Sequence, residues 1–404
     1  MPSVYDVANA INIRKVITHY TGTDVMATRG NISCPFHQDK SPSFRIYDST
    51  NTYHCFSCGD NGTPINFVAA HLGVTPEGAA QQLATDFKLN YTKAKPNPEY
   101  DQYVAVYEYA AGFFHILNRH KEAVAENFWS TRKLDSVVDQ YKLGYCLQVY
   151  ISKHDSTVVP FKEILQSNFP NIPEEVLDSY GLYDKYGNCI FSGRFMFPIH
   201  NYRGHIVGFS GRASQALTGV PKYINTAENQ FFKKRELLYN WHEARKYPTV
   251  IIVEGYTDAL SLIAQGVNNV VAAMGTSISS DHLEMLKDKQ IVLALDNDLP
   301  GRCKMVSIIE DNPGLVMKVY ELKEHCDFNE GHMQGVKYNI DIDKDTVYAP
   351  EFLIRFLKEE LDLGFLYKRE ELFNRVNVVA KGYSPVARDY FSTILKRIIK
   401  GRRS

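Results

Sequence analysis

No stretch of this 404-residue chain approaches the roughly 18 consecutive apolar residues of a membrane-crossing helix. The longest apolar runs are short β-like pieces such as TVIIV and QIVLAL, so no membrane partner is expected. The N-terminal MPSVYDVANAINIRKVITHY lacks the apolar centre of a secretion signal. Cysteine is scarce, at seven residues, and the spacing is uneven. A disulfide framework is therefore not expected, and a reducing cytoplasmic setting is. Internal repeats and low-complexity tracts are also missing.

An excess of charge of one sign is missing too: the net charge is −1 from 45 basic and 46 acidic residues. Evenly spread, that balance would argue against a polyanionic partner, but the charges are sorted along the chain. Arg194 to Lys246 carries nine Lys/Arg against three Glu, a net of +6, while Ile251 to Pro300 carries seven acids against two Lys, a net of −5. A basic block runs directly into an acidic one. The length exceeds that of one compact core, so two or three domains are expected, and an apolar content of 44% is that of a globular protein.

Three of the seven cysteines fall in CPFHQDKSPSFRIYDSTNTYHCFSCGDNG. Cys34 and His37 form one C-x2-H knuckle, and Cys55 and Cys58 form a C-x2-C knuckle. Each pair fits one tight turn, and two turns complete a tetrahedron of three thiolates and one imidazole around a single structural Zn²⁺. His54 is the alternative nitrogen ligand, ranked second because it adjoins Cys55. PSFRIY and NTYHCF alternate as strands of a ribbon. Of its aromatic residues Phe36, Phe44, Tyr47, Tyr53 and Phe56, most are needed for packing; with Arg45 nearby, one or two are expected to face single-stranded bases.

Beyond the ribbon, PINFVAAHLG and EGAAQQLATDF are expected helices, and NYTKAKPNPEYDQY is expected to be a linker. VYEYAAGFFHILNR has helical spacing. GRFMFPIHNYRGHIVGFSGR predicts a hairpin turning at NYRG. PTVIIVEGYTDALSLIAQG, NVVAAMG and QIVLALDND then alternate buried strands with helices, the pattern of a mainly parallel sheet. EFLIRFLKEEL and DYFSTILKRIIK close the chain as helices.

Glu254 follows TVIIV, and Asp296 and Asp298 follow IVLAL, at the strand ends where open parallel sheets place their sites. Residues i and i+2 of an extended segment point the same way, so Asp296 and Asp298 can share a cation. Carboxylates that converge in this way call for hard divalent ions, two or more Mg²⁺ or Mn²⁺, in the arrangement of two-metal phosphoryl transfer. The alternative is that these acids cap the helices that follow them. Asp258 is expected to cap or orient rather than to ligate. Beside this edge the basic block has a use, because phosphates need cations to approach carboxylates.

These motifs together resemble the bacterial DnaG-type DNA primases: CPFHQDKSPSF with HCFSCGDNG their zinc-binding domain, GRFMFPIHNYRGHIVGFSGR with PKYIN and FFKKRELLYN their basic motifs, VEGYTDAL with LALDND their TOPRIM core. AENFWSTRKLDSVVDQYKLGYC is similar to the segment entering their polymerase domain. The resemblance implies an α/β and α+β multidomain chain: a zinc ribbon over 1–92, a linker over 93–102, a mixed α+β basic subdomain over 103–247, a TOPRIM-type parallel α/β core over 248–348 and a helical subdomain over 349–404. It implies synthesis of RNA primers from ribonucleoside triphosphates on a single-stranded DNA template, an RNA–DNA hybrid product and a replicative helicase as partner. It implies Glu254, Asp296 and Asp298 as catalytic and metal-binding, with Asp327 as a further magnesium ligand or, as the alternative, Glu330. It also implies Arg194, Arg212, Lys222, Tyr223, Asn225, Lys233, Lys234 and Arg235 as nucleic-acid or nucleotide contacts. Asn297 stands where the family usually has Gly, and the family's second acidic pair has no clear counterpart. The chain ends before the family's helicase-binding domain, which suggests a phage or mobile-element gene working in a host's cytoplasm. The rival readings are a TOPRIM nuclease or topoisomerase-like enzyme and a non-catalytic single-stranded-DNA-binding scaffold.

Overall fold

The structure, a computed structural model, describes residues 8–39, 41–48, 50–74, 76–89, 97–119, 128–148, 150, 158–215, 217–274 and 278–400. The chain divides into two compact units, residues 1–97 and 98–404.

The first unit is built on a three-stranded antiparallel sheet of β1 (Phe44–Tyr47), β2 (Thr52–Cys55) and β3 (Asn61–Gly62), with Phe44 opposite Cys55. Side chains alternate as the sequence pattern requires: Phe44, Ile46, Tyr53 and Cys55 are buried while Arg45 is exposed. Three helices pack around the ribbon, α1 (Ile13–Thr21), α2 (Pro64–Leu72) and α3 (Pro76–Asp86). Arg14 on α1 is buried and forks onto the Asp48 carboxylate from Nε and Nη2, while Nη1 donates to the carbonyls of Val25 and Thr28. Such a buried cation is tolerable because it is fully paired.

The second unit begins with α4 (Pro98–Arg119). The stretch read from sequence as a linker over 93–102 thus ends in helix: Pro98 sits at the first helical position, where its missing N–H costs nothing, with Glu99 and Asp101 in the first turn. Residues 93–96 lie outside the described residues. α4 lays Tyr107 and Phe114 against Phe209 of an antiparallel sheet in the order β4 (Gly144–Cys146), β5 (Arg194–His200), β6 (Ile206–Ala213) and β7 (Tyr223–Asn225). The β5–β6 hairpin turns at the expected place. The Asn201 side chain accepts from the amides of Arg203 and His205, and Gly204 takes φ +84°.

The second sheet of this unit runs β12 (Thr346–Tyr348), β11 (Met317–Tyr320), β10 (Gln290–Leu293), β8 (Thr249–Val253) and β9 (Val270–Ala272), parallel except for β12. β8 is buried on both faces: Ile251 and Val253 join the core shared with the antiparallel sheet, and Val250 and Ile252 the core beneath the C-terminal helices. From β8 the chain enters α5 (Tyr256–Ile263), which packs on the first face and leads to β9. From β10 it enters α6 (Leu299–Asp311), which packs on the second face and leads to β11 on the far side. The connections leave β8 and β10 in opposite directions, which opens a crevice at their carboxyl ends.

The segment after β11 carries α7 (Phe328–Met333), and α8 (Ala349–Glu360), α9 (Leu366–Ala380) and α10 (Pro385–Lys400) close the chain. Phe352, Leu353, Leu372, Val376 and Leu395 of these last three helices share one core with α6 and the parallel sheet. The helical subdomain expected over 349–404 thus packs as a layer on that sheet, with a small further cluster of Ala380, Tyr383 and Phe391. Among the described residues no helix is long and apolar enough to cross a membrane.

His200, at the end of β5, stacks on His242 with ring centroids 4.4 Å apart. Burial, followed by the neighbouring ring, holds His200 down at about 3, and burial with Lys246 and Arg245 holds His242 at about 4. An unfolded histidine takes up its proton near pH 6.5. Acid therefore favours the unfolded chain, and the contribution of these rings to stability is full above about pH 6.5 and declines as pH falls toward about 4. In NMR titrations both rings are expected to stay neutral down to pH 5; a midpoint near 6.5 for either would contradict their burial.

Candidate functional site

In the ribbon the two knuckles bring Cys34, His37, Cys55 and Cys58 together with all four ligand atoms within 4.8 Å of one another. The Sγ atoms of Cys34 and Cys58 are 3.9 Å apart, close to the edge of about 3.8 Å of a tetrahedron with Zn–S bonds of ~2.3 Å. His37 Nδ1 lies 4.0 Å from Cys55 Sγ. Its Nε2 lies 3.7 Å from Asp39 Oδ1, beyond hydrogen-bond distance, so the ring turns Nδ1 to the cluster and Nε2 toward a carboxylate. Asp39 is itself fixed, because Oδ2 accepts from the amides of Cys34 and Ser43 and from Ser43 Oγ. The amides of Phe36 and Cys58 point at Cys34 and Cys55 sulfur. The soft, fully closed donor set fits structural zinc. His54, the alternative ligand, is excluded by strand alternation. It faces away from Cys55 and stacks on Phe56 at 4.8 Å.

Of the ribbon aromatics, Phe36, Phe44 and Tyr53 form one cluster with Phe67. Phe56 is 60% exposed. It shares the outer face with His54 and with Arg45, which pairs opposite His54 and lies 5.9 Å over the Tyr47 ring.

In the second unit the crevice between β8 and β10 receives Glu254, Asp296 and Asp298, and the loop after β11 adds Asp327. Asp296 is half-buried, and burial together with the charges of Glu254, Asp327 and Asp298 pushes it up to about 7. Asp258, in the first turn of α5, is buried and pushed well above the carboxylate range by burial, then by Asp327 and Asp296. Its Oδ1 accepts from the Asn329 amide at 3.0 Å, so it ties α5 to α7. Asp298 caps α6, accepting from Gly301 N at 2.8 Å, and Asp327 caps α7, accepting from Glu330 N at 2.6 Å. Glu330 completes that cap by accepting from Cys326 N at 2.8 Å. Of these two acids it is the charge of Asp327, not of Glu330, that bears on Asp258 and Asp296. Gly301 is obligatory here, since a Cβ would stand 2.1 Å from the Asp296 carbonyl oxygen.

Crowded hard oxygen donors that raise one another's proton affinity are the chemistry a divalent cation relieves. Among the described residues, however, the Cys/His cluster is the one group of three or more ligand atoms drawn together. The acids are neighbours without closing on a point. One reason is Lys304 on α6, whose Nζ donates to Glu254 Oε1 at 3.0 Å.

The basic residues separate into two kinds. Arg194 is buried, with Nη1 donating to the carbonyls of Gly211 and Pro221, and burial lowers its pKa. Through Nη1, Arg194 fixes the segment that leads to Lys222. Lys222, Lys233 and Arg235 are exposed and Lys234 is half-buried. Lys233 pairs with Glu236 at 3.5 Å and Arg235 with Asp281 at 3.5 Å. Arg212 donates to Tyr223 Oη at 3.3 Å, and Asn225 Oδ1 accepts from Tyr256 Oη at 3.1 Å, which joins the end of β7 to α5.

Phe128 and Arg132, not singled out from the sequence, belong to this surface. Arg132 and Arg212 both hold their guanidinium carbons over the Phe128 ring, at 4.1 and 5.3 Å. Burial and then Arg212 lower the Arg132 pKa, and the charge of Asp327 opposes them, so the cationic surface abuts the acidic edge. Arg132 lies in a segment already similar to a polymerase-domain motif. Lys304 had no signal beyond its position six residues after Asp298.

Comparison with known proteins matches residues 1–99 to the CHC2 zinc finger family, 113–245 to the DNA primase catalytic core, N-terminal domain, and 251–332 to a Toprim-like family. The DNA primase of Thermotoga maritima is 31% identical over 76% of this chain, and that of Lactococcus lactis 29% identical over 98%. The chain spans 54% of the length of the first and 63% of the second. The zinc-binding and RNA polymerase domains of the Aquifex aeolicus primase superpose with a TM-score of 0.58 at 25% identity, covering 100% of both chains. A DnaG primase catalytic domain bound to ssDNA shares the fold at 22% identity, with a TM-score of 0.59 over 74% of this chain and 96% of its own. With the ribbon, the catalytic-core region and the Toprim-like sheet in this order, the chain belongs to the DnaG-type primase family.

Proposed function

We propose that this chain synthesises short RNA primers from ribonucleoside triphosphates on single-stranded DNA. The observation that carries the reading is the meeting of an acidic strand edge, Glu254, Asp296, Asp298 and Asp327, with a cationic and aromatic surface formed by Phe128, Arg132, Arg212 and Tyr223. Carboxylates alone repel a polyanion and cations alone only bind one, whereas together they suit phosphoryl transfer. Glu254, Asp296 and Asp298 would hold Mg²⁺ or Mn²⁺, with Asp327 as a further ligand. Such ions activate a hydroxyl and neutralise the departing diphosphate. Glu254 is the candidate acceptor of the 3′-hydroxyl proton.

Exposed Lys222, Lys233 and Arg235, with half-buried Lys234, Arg212, Tyr223 and Asn225, are assigned to the template strand, the triphosphate and the hybrid product. On the ribbon, the outer face of Arg45, His54 and Phe56 is assigned to template bases, since an exposed ring beside a cation accepts any base. The relative bound to ssDNA is a catalytic domain, so what it supports is the assignment of the second unit to a template strand. A replicative helicase is the proposed partner in the cell.

Three experiments test the reading. Cys58→Ser should release zinc, detected with a chromogenic chelator, and abolish initiation on bare template while extension of an annealed primer survives; equal loss of both would assign the ribbon to holding the synthetic unit together. Asp298→Asn keeps the α6 cap, because Asn caps helices about as well as Asp, so folding should persist while priming falls by about two orders of magnitude or more. Near-normal priming by this variant would leave only the capping role. Lys222→Ala with Lys233→Ala should weaken single-stranded DNA binding and reduce its log–log salt slope by about 1.4, or ~0.7 for each phosphate that no longer meets a lysine. An unchanged slope would remove both lysines from the interface.

A further inference from the structure

We propose that Lys304 is an internal counter-ion of the acidic edge: it holds Glu254 in an ion pair that a divalent cation must displace. The inference rests on the reading of that edge as a divalent-cation site. Its basis is geometry. Lys304 Nζ stands 3.0 Å from Glu254 Oε1, with the two side chains 24% and 33% exposed. The pair is sheltered, yet open enough to exchange.

One rigid element sets both halves of this arrangement. α6 carries Asp298 at its N-cap and Lys304 in its second turn, about 9 Å further along the axis at ~1.5 Å per residue. Asp298 is thus aimed at the crevice from the start of the helix, and Lys304 reaches back to the acid that follows β8. Arg302, two residues before Lys304, serves a different surface. It pairs with Glu359 of α8 at 2.7 Å and lies 5.3 Å over the Phe356 ring. α6 therefore directs one cation into the acidic edge and another onto the C-terminal helices.

An oxygen that accepts from an ammonium cannot also bind a divalent ion at ~2.1 Å unless the ammonium moves, because two cations at one carboxylate oxygen repel. The flexible four-carbon stem of lysine permits that movement, whereas a planar guanidinium held by two bonds would resist it. This accounts for the acids being neighbours without closing on a point: Glu254 is engaged elsewhere, and the cluster closes when Lys304 lets go. Without the metal, the same pair keeps Glu254 from being a bare charge beside Asp296.

The test is Mn²⁺ binding to the full zinc-loaded chain, without DNA or nucleotide, read from the electron paramagnetic resonance of free Mn²⁺. Wild type is expected to show a site that Asp298→Asn removes. Lys304→Met should bind Mn²⁺ about two- to fivefold more tightly, the worth of a half-exposed ion pair, and should melt at a lower temperature than wild type without metal, with the gap narrowing on addition of Mn²⁺. Lys304→Arg should bind Mn²⁺ more weakly than wild type, because a guanidinium is harder to displace from Glu254, and Arg302→Met should keep wild-type affinity because its charge serves another surface. If Lys304→Met does not fold, Lys304→Gln carries the same comparison. Unchanged or weaker Mn²⁺ binding on loss of the Lys304 charge, or equal tightening by Arg302→Met, overturns the counter-ion role and leaves the metal reading intact. Absence of any Asp298-dependent Mn²⁺ site in wild type overturns the metal reading and this inference with it.

Discussion

Carboxyl groups from three strand ends meet where α5 and α6 leave the parallel sheet in opposite directions, and their mutual repulsion constrains everything built around them. It shows in Asp296, which burial first, and then the charges of Glu254, Asp327 and Asp298, hold at about 7. The surrounding contacts oppose that repulsion. Asp298 and Asp327 each cap a helix, so each lies at the positive end of a row of peptide dipoles. Glu254 has the Lys304 ammonium, and the charge of Arg132 bears on Asp327. The edge is thereby kept assembled without being neutralised.

The same contacts make the acidic edge and the cationic surface one piece. Asn329, buried on α7, donates its amide to Asp258 and its Nδ2 to Ser261 Oγ at 2.9 Å and to the Arg132 carbonyl at 3.5 Å. Three residues on, His332 bonds through Nε2 to the Lys133 carbonyl at 2.9 Å and through Nδ1 to Gln265 at 2.8 Å. α7 is thus stitched both to α5, which follows Glu254, and to the segment that carries Arg132. A shift of one would carry the other, which keeps phosphate contacts in register with the acids that act on phosphate.

What could be read in the sequence divides along physical lines. Zinc ligands were legible because a closed tetrahedron imposes spacing, and spacing is a property of the chain; only the choice between His37 and His54 needed the strand alternation that turns His54 outward. Glu254, Asp296 and Asp298 were legible because buried strands announce their own ends. The burial of Arg194 was not legible, because sequence shows charge and not burial: its Nη1 donates to the carbonyls of Gly211 and Pro221. Asp327 and Glu330 both serve the start of α7, the first accepting from Glu330 N and the second from Cys326 N, so capping alone does not choose between them. Arg132 shares the Phe128 ring with Arg212, 80 residues further on, and Lys304 pairs with Glu254, 50 residues back, and no local pattern records such distances. The final helices looked separable because their apolar stripes are visible while the far face of the sheet that they cover is not.

The two candidate metal centres differ in how far the protein alone can build them. Thiols and an imidazole can approach one another unmetallated, since they need not be charged, and the ribbon's turns and N–H···S contacts hold the four ligand atoms within 4.8 Å. Carboxylates near neutral pH have no such freedom, because bringing them to coordinating distance without a cation costs several kcal/mol per buried charge. A closed soft site can therefore be written into local sequence as two knuckles. An open hard site has to be written as topology, with strand ends to deliver the acids, helix N-termini to cap them, and a cation such as Lys304 to stand in until a metal arrives.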